Sequence, residues 1–490
     1  MSALENKLYQ LIISRLNGEE LSLPSYRKGL FELVQKGIGG FIIFGGRKDE
    51  VKDLVSELQS ASDTPLFIAS DIERGVGQQI EEGSHLPSQM AVAAAINNDD
   101  DQDVKLLMNA ILYAAAEAAD VGINMPLIPV LDVNLNPNNP IICTRAFSDK
   151  PGDVAWYGSM YIKLIENFGL LSCAKHFPGH GDTDIDSHIS LPVISKSLNE
   201  LMKTDIFPFK EAVRLGVSSI MVGHLSIPAI DTLPTTISRK MIELLRVKLG
   251  YEGLIMTDAL NMDALQELGD VAAKCVAAGY DIILHPADAD LTVEELERAV
   301  LSGEVEEGKI DMAVERILKY KSKIAHRKRP APDYKKHAEL FEVISDRAVT
   351  LVKDMPGVLP LADIQNTSLV YTFDENRHVI SVLKSPFPKA YNINEYNNKG
   401  ETVVFALFTS IAAWAGSSGI REEEIEVIKN IINKAGNSIV ISFGSPYVLK
   451  HFGDADMLIA SYDSSGQAQA SVMKCLRGEF IFQGRLPVEL

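Results

Sequence analysis

The chain has 490 residues and a formal net charge of −19, and 46% of its residues are hydrophobic. That apolar share is typical of a folded protein and excludes wholesale disorder, while the length predicts two or three domains, or one large barrel with a smaller partner. A pI near 5.0 argues against binding to nucleic acid or to anionic membranes, because both need a basic protein face.

The start of the chain has charges at both ends of a short apolar run and lacks the basic stretch of a secretory signal. No apolar stretch in the sequence approaches the ~20 residues that cross a bilayer. The four cysteines are scattered without a CxxC pair, which indicates neither a disulfide framework nor a zinc ribbon. We therefore expect a soluble, cytoplasmic protein.

Seven short apolar runs alternate with helical patterns in the first two thirds of the chain. They are residues 40–44, 66–70, 125–131, 170–174, 218–222, 253–257 and 280–284. The runs lack polar alternation, as do strands that are buried on both faces of a parallel sheet. They predict a (β/α)8 TIM-like barrel over residues 1–325, with an eighth strand that is short, irregular or absent.

A basic, proline-broken segment follows the barrel pattern and predicts a linker over residues 326–345. A helical pattern then surrounds residues 345–352. Further strand-like runs lie at 367–373, 402–408, 438–443 and 457–461, with a helical stretch at 421–436 between two of them. This order predicts a smaller α/β sandwich domain with a parallel sheet over residues 346–490.

The residues that end the apolar runs of the predicted barrel are charged or carry imidazole rings. They are Asp71, Asp132, Lys175 with His176, His224, Asp258 and His285. Barrel enzymes collect their chemistry at the carboxyl ends of the strands. One such residue alone can be a helix cap, but six such strand ends predict an active site at this edge.

The densest chemistry lies in residues 175–188, which contain three histidines, three aspartates and a lysine. A metal site is one interpretation, but histidines four apart share a face only on a helix, and Pro178 with its neighbouring glycines disfavours a helix. A zinc-binding loop or a purely structural histidine cluster stays open at this point. In an extended loop Asp186 and His188 point to the same side, so the carboxylate can orient the imidazole for proton transfer.

Asp258 directly follows an apolar run and precedes a helical pattern, so by itself it is most simply a helix N-cap. Together with a histidine acid/base it becomes a candidate carboxylate nucleophile, because retaining glycosidases need one group to protonate the leaving oxygen and another to attack the sugar.

The segment KHFPGHGDTDIDSH resembles the signature loop of glycoside hydrolase family 3 β-N-acetylglucosaminidases. Similar segments occur in the order typical of that family: SDIERG, HLPSQM, PVLDVNLNPNNPIICTRAF, MVGHLSIPAID and IMTDALNM, then AVTLVKD, GVLPL, FGSPY and GRLPVEL. The resemblance therefore covers nearly the whole chain.

The resemblance implies a retaining hydrolase that removes terminal, non-reducing β-linked N-acetylglucosamine and needs neither metal nor cofactor. It implies Asp258 as the nucleophile and His188 as the acid/base, oriented by Asp186. The candidate substrate-binding residues are Asp71, Arg145, Lys175, His176, His180 and His224. The substrate it implies is a small glycan such as a muropeptide, in cell-wall recycling and peptidoglycan turnover; the sequence does not indicate an oligomeric state.

The sequence departs from the family pattern at Arg74, where a glycine is common, and at Gln79, where an arginine is common. Three alternatives therefore remain: a β-glucosidase or xylosidase of the same family, a β-N-acetylglucosaminide phosphorylase, and a sugar-binding protein without catalysis. The β-glucosidases and xylosidases of the family lack the Asp-Ser-His loop, which is present here. A sugar-binding protein without catalysis is disfavoured because Asp258, Asp186 and His188 are all present. A histidine acid/base does not repel phosphate as a glutamate does, so the phosphorylase is not excluded.

Overall fold

The computed structural model describes residues 2–184, 191–261, 269–324, 330–361, 363–372, 380–397, 402–409 and 419–490. Two compact units divide the chain. The first comprises Met1–Leu86, Met108–Val133 and Pro151–His337, and the second comprises Pro87–Leu107, Asn134–Lys150 and Ala338–Leu490. None of the helices within the described residues combines the length and the apolar character that a membrane crossing needs.

The first unit is built on parallel strands that pair in chain order. They are β1 (Ile12–Asn17), β2 (Gly40–Phe44), β3 (Phe67–Ser70), β4 (Met125–Pro126), β5 (Cys173–Phe177), β6 (Ser219–Val222), β7 (Leu254–Thr257) and β8 (Ile283–Leu284). One sheet has the order β4-β3-β2-β1-β8 and the other β5-β6-β7. Isolated parallel bridges, Val130 with Lys175 and Met256 with Ile282, connect the two sheets. This curled parallel sheet is consistent with the predicted TIM-like barrel.

All seven predicted apolar runs overlap a strand, although β5 begins at Cys173 and extends past its run to Phe177; the eighth strand is the first in the chain, β1. It pairs in parallel with β2, with Ile13 opposite Gly40. The sequence pattern hid this strand because Arg15 interrupts it and is exposed, whereas Ile12, Ile13 and Leu16 are buried.

Helices connect and cover the strands. Those of the described residues are α1 (Ala3–Gln10), α2 (Pro24–Gln35), α3 (Lys48–Ala61), α4 (Gln89–Ala95), α5 (Asp101–Val121), α6 (Pro151–Phe168), α7 (Leu198–Lys203), α8 (Phe207–Arg214), α9 (Arg239–Glu243), α10 (Val271–Ala278), α11 (Ala289–Ser302), α12 (Glu307–Ile324), α13 (Tyr334–Ala348), α14 (Ser381–Lys384), α15 (Glu422–Ile432) and α16 (Gly466–Leu476). On α3 the apolar residues Val51, Leu54, Val55 and Leu58 are buried at helical spacing. Their burial follows from the amphipathic pattern of the sequence.

The second unit contains a sheet of the order β11-β10-β12-β13-β14-β9. Its strands are β9 (Thr350–Lys353), β10 (Ser368–Thr372), β11 (Lys389–Asn392), β12 (Thr402–Phe408), β13 (Asn437–Phe443) and β14 (Met457–Ala460). All neighbours pair in parallel except β9, which runs antiparallel to β14. The four predicted runs contain β10, β12, β13 and β14, while β9 and β11 were not predicted.

The helix predicted around residues 345–352 is wrong in its second half. Helix α13 crosses much of the predicted linker and ends at Ala348, after which Thr350–Lys353 forms β9. Val349, Thr350 and Val352 are β-branched, and side chains of that shape favour a strand over a helix. The sheet edge next to β14 supplies the pairing partner.

Candidate active site

The carboxyl ends of β1–β8, called here the carboxyl edge, bring together several of the predicted site residues. Lys175, in the middle of β5, is 1% exposed. Its Nζ lies 2.6 Å from Oδ1 of Asp71 and 2.8 Å from Oε1 of Glu73. The Asp71 side chain is 27% exposed, whereas that of Glu73 is 3% exposed. Two carboxylates therefore neutralise the charge of the buried ammonium. The exposed part of the Asp71 side chain remains accessible to a ligand.

Asp132 anchors the histidine-containing segment that follows Lys175. It is fully buried, and its Oδ2 lies 2.7 Å from Nδ1 of His176. Its Oδ1 accepts hydrogen bonds from the backbone N–H of His176 at 3.2 Å and of His180 at 2.7 Å. Burial alone would raise the pKa of Asp132, but the His176 imidazole and these hydrogen bonds lower it overall, so the group is a carboxylate.

His180 is buried, and its Nδ1 lies 2.9 Å from Oγ1 of Thr183. Burial lowers the pKa of His180 to about 4, although the charges of Asp132 and Asp258 oppose the shift. The ring is therefore neutral at neutral pH.

His224 and Asp258 lie on neighbouring strand ends. Asp258 follows β7 and is partly exposed, and its backbone N–H donates to the carbonyl of Val222 at 3.1 Å. Its Oδ1 accepts from the N–H of Ala259 at 2.8 Å. His224 is fully buried, with Nδ1 2.7 Å from Oγ1 of Thr236 and Nε2 3.2 Å from the carbonyl oxygen of Ala259. His224 thus supports the segment that carries Asp258.

Three predicted site residues remain, and the structure describes one of them. Arg145 belongs to the second unit, where it ends a short 3-10 helix and its Nη1 donates to the carbonyl of Ile141 at 3.1 Å. Asp186 and His188 lie outside the described residues. Within the described residues, no group of three or more His, Cys, Asp and Glu side chains is arranged to hold a metal ion.

Two residues of this cluster were not among the predicted site residues. Glu73 contacts Lys175, and its position two residues after Asp71 was the available signal, because alternate residues of an extended segment share a side. Asp132 was recognised as the end of an apolar run, but its partners lie 44 and 48 residues away in sequence, at His176 and His180. Because of this separation, local sequence patterns could not predict that Asp132 anchors the segment.

Comparison with known proteins identifies the family of this chain. The profile of the glycosyl hydrolase family 3 N-terminal domain matches residues 3–320. The chain belongs to glycosyl hydrolase family 3. A β-N-acetylglucosaminidase/β-glucosidase from Cellulomonas fimi is 27% identical and covers 92% of this chain and 88% of its own. β-Hexosaminidase A from Pseudoalteromonas piscicida is 33% identical over 71% of this chain and 64% of its own.

Solved structures agree with the family assignment. A family 3 β-N-acetylglucosaminidase from Paenibacillus sp. str. FPU-7 matches with a TM-score of 0.85 and 27% identity, covering 100% of this chain and 99% of its own. A β-glucoside phosphorylase shares the fold, with a TM-score of 0.88 at 23% identity. The predicted resemblance to family 3 β-N-acetylglucosaminidases is confirmed, and with it the prediction that the chain is a glycoside hydrolase.

Proposed function

We propose that this family 3 enzyme removes terminal, non-reducing β-linked N-acetylglucosamine with retention of configuration. The observation that carries the proposal is the carboxyl edge, where the partly exposed Asp258 follows β7 and the 2.6 Å ion pair of Asp71 with Lys175 joins the end of β3 to β5. The names of the relatives from Cellulomonas fimi and Paenibacillus support the choice of sugar. The site would lie at the mouth of a (β/α)8 barrel over residues 1–325. Residues 346–490 would form a separate α/β sandwich domain.

In the proposed reaction, a carboxylate oxygen of Asp258 attacks the anomeric carbon while His188, oriented by Asp186, gives its proton to the leaving oxygen. The bond to the leaving group breaks as the bond to Asp258 forms. His188 then takes a proton from water, whose oxygen attacks the same carbon and releases Asp258. Two inversions at one carbon give net retention.

The proposed sugar contacts divide into direct and indirect ones. Asp71, Lys175, His176 and Arg145 would hold the sugar hydroxyls, because charge-assisted hydrogen bonds to hydroxyls are strong and directional. The contacts of His180 and His224 with Thr183, Thr236 and the Ala259 carbonyl support an indirect role, in which these histidines hold the segments that follow β5 and β7.

The proposal is tested with 4-nitrophenyl N-acetyl-β-glucosaminide beside 4-nitrophenyl β-glucoside, in phosphate-free buffer. We expect a strong preference for the N-acetyl sugar, and then activity on N-acetylglucosaminyl muropeptides, the natural substrate that we propose. The β-glucoside is the necessary comparison because the Cellulomonas fimi relative is named for both activities. Preference for the plain glucoside would contradict the proposed sugar, and N-acetylglucosamine 1-phosphate as the main product in phosphate buffer would contradict hydrolysis.

A further inference from the structure

Arg15 is an exposed, positively charged residue on an otherwise buried strand of the first unit. It lies near the carboxyl end of β1, and its Cζ is 5.3 Å from the ring centre of Phe44, the last residue of β2. In the described part of the chain, no carboxylate forms an ion pair with its guanidinium.

The neighbours of Arg15 place it beside the proposed sugar site. The His285 ring, which follows β8, lies 5.4 Å from the Phe44 ring centre to centre. Burial, together with the charge of Arg15, lowers the pKa of His285 to about 4, against the opposing charge of Asp71. Arg15, Phe44 and His285 are therefore close together at the carboxyl edge, at β1, β2 and β8, the strands that continue the sheet from β3, which Asp71 follows. His285 is neutral at neutral pH, so Arg15 supplies the positive charge of this group.

Phe44 restrains the guanidinium without neutralising it. A guanidinium near an aromatic ring gains a cation–π contact, and its planar set of N–H donors remains available to a ligand. Such a fork matches the two oxygens of a carboxylate or a phosphate. The N-acetylglucosamine in the proposed reaction is neutral, so an anion bound here must belong to the other reactant.

We propose that Arg15 binds an oxyanion, a carboxylate or a phosphate, of the reactant that meets the sugar at the carboxyl edge. The carboxylate would be carried by the leaving group, and the phosphate would be an acceptor in place of water. This inference rests on the sugar site of the proposed function, next to Asp71 and Lys175; a phosphate acceptor would take the place of water there and would contradict only the hydrolytic step. It makes Arg15 a specificity-determining residue and Phe44 its positioning residue.

Binding of two thioglycosides tests the proposal without depending on turnover. The probes are phenyl 1-thio-N-acetyl-β-glucosaminide and its 4-carboxyphenyl counterpart, measured by titration calorimetry. If the leaving group carries the anion, we expect the wild-type protein to bind the carboxylated probe about tenfold more tightly, as a charge-assisted hydrogen bond allows. That ratio should fall to about one in Arg15→Met. Arg214→Met, which removes an exposed arginine of α8 and the same charge, should keep the wild-type ratio.

A second measurement identifies an acceptor phosphate. Turnover of 4-nitrophenyl N-acetyl-β-glucosaminide is followed with and without inorganic phosphate. Acceleration by phosphate in the wild type that is lost in Arg15→Met, but not in Arg214→Met, supports phosphate as the ligand. A wild-type protein with neither the carboxylate preference nor the phosphate response overturns the proposal, as does an Arg15→Met variant that keeps them. Absence of wild-type turnover contradicts the proposed function instead, and the thioglycoside ratio still decides the role of Arg15.

Discussion

Lys175 shows how a buried charge is kept in place at the carboxyl edge. A lysine that is 1% exposed is costly unless it is paired, and here Asp71 and Glu73 share its ammonium. The two carboxylates differ in exposure, so Glu73 serves as a permanent partner while Asp71 can also contact a ligand. In the proposed reaction, Glu73 is thus a positioning residue for Lys175.

Replacing Glu73 by Gln should weaken transition-state binding without removing the nucleophile. Loss of one charged partner lets the Lys175 ammonium move and draws Asp71 toward it, so kcat/KM on 4-nitrophenyl N-acetyl-β-glucosaminide should fall roughly 10–100-fold. Steady-state kinetics that separate kcat from KM provide the measurement. Glu81→Gln, at an exposed carboxylate nearby in sequence, is the control and should retain wild-type values. Equal effects of the two variants would refute the positioning role.

The acid/base assignment predicts a dependence on the leaving group. His188→Ala should lower turnover of phenyl N-acetyl-β-glucosaminide roughly 10²–10⁴-fold but affect the 4-nitrophenyl glycoside far less, because an activated leaving group needs little protonation. Asp258→Asn should abolish turnover of both, because the nucleophile is lost. A series of aryl glycosides measured with each variant distinguishes the two patterns. If His188→Ala lowers both rates equally, the histidine is not the proton donor.

At the scale of elements, helix α12 carries an unusual buried cation, Lys321, toward the amino ends of the strands. It is 1% exposed, its Nζ donates to Oε1 of Gln10 at 2.8 Å, and it lies 5.3 Å from the ring centre of Phe67. Burial lowers the pKa of Lys321 from 10.5 to about 7. Gln10 and Phe67 thus accommodate a lysine that loses its proton easily.

This lysine gives the free energy of unfolding a defined pH dependence. Between about pH 7 and 10.5 the unfolded chain keeps the Lys321 proton while the folded protein releases it, so its contribution to stability rises with pH across that range. Below pH 7 Lys321 is a buried cation in the folded protein, and its desolvation lowers the free energy of unfolding by the full amount. Lys321→Met should remove this slope. Urea unfolding at pH 7 and pH 9.5 measures the difference, with Lys319→Met, at an exposed position of α12, as the control.

If the wild type and Lys321→Met show the same change in unfolding free energy between these two pH values, Lys321 does not titrate there. Replacement by Met also leaves Oε1 of Gln10 without its lysine donor, so only the pH dependence, and not the absolute stability, tests the assignment.

At the scale of the whole molecule, the second unit is discontinuous in sequence. Ser88 Oγ donates to the carbonyl of Tyr462 at 3.0 Å, and Ser148 Oγ to that of Pro487 at 2.7 Å. The N–H of Arg485 donates to the carbonyl of Ala94 at 3.0 Å. Segments 87–107 and 134–150 therefore depend on the carboxyl-terminal part of the chain for their partners.

A protein ended after His337 should consequently be less stable than the full chain. Segments 87–107 and 134–150 would lose the contacts named above, and with them the support of Arg145. We expect a midpoint of thermal unfolding at least ~4 °C lower, and cleavage within these segments in limited proteolysis. Calorimetry beside the full chain provides the comparison. A shortened protein that unfolds cooperatively at the temperature of the full chain would contradict this expectation.

Features that depend on neighbouring residues could be predicted from the amino-acid sequence. Apolar runs without alternation located seven strands of the first unit, and the residue after each run located Asp71, Lys175 and Asp258 at the carboxyl edge. These inferences succeed because the period of side-chain burial and the end of a strand are local properties. The motif around KHFPGHG likewise identified the family, since its chemistry is concentrated in consecutive residues.

Contacts between residues that are distant in sequence could not be predicted and are seen in the folded chain. Lys175 and Asp71 are 104 residues apart, and Ser88 and Tyr462 are 374 apart. Strand β1 was hidden by the exposed Arg15, and β9 forms where β14 offers an edge to pair with. Such contacts depend on burial and strand pairing between elements that are far apart in sequence. No local pattern specifies them, because the residues that form them are not neighbours in the chain.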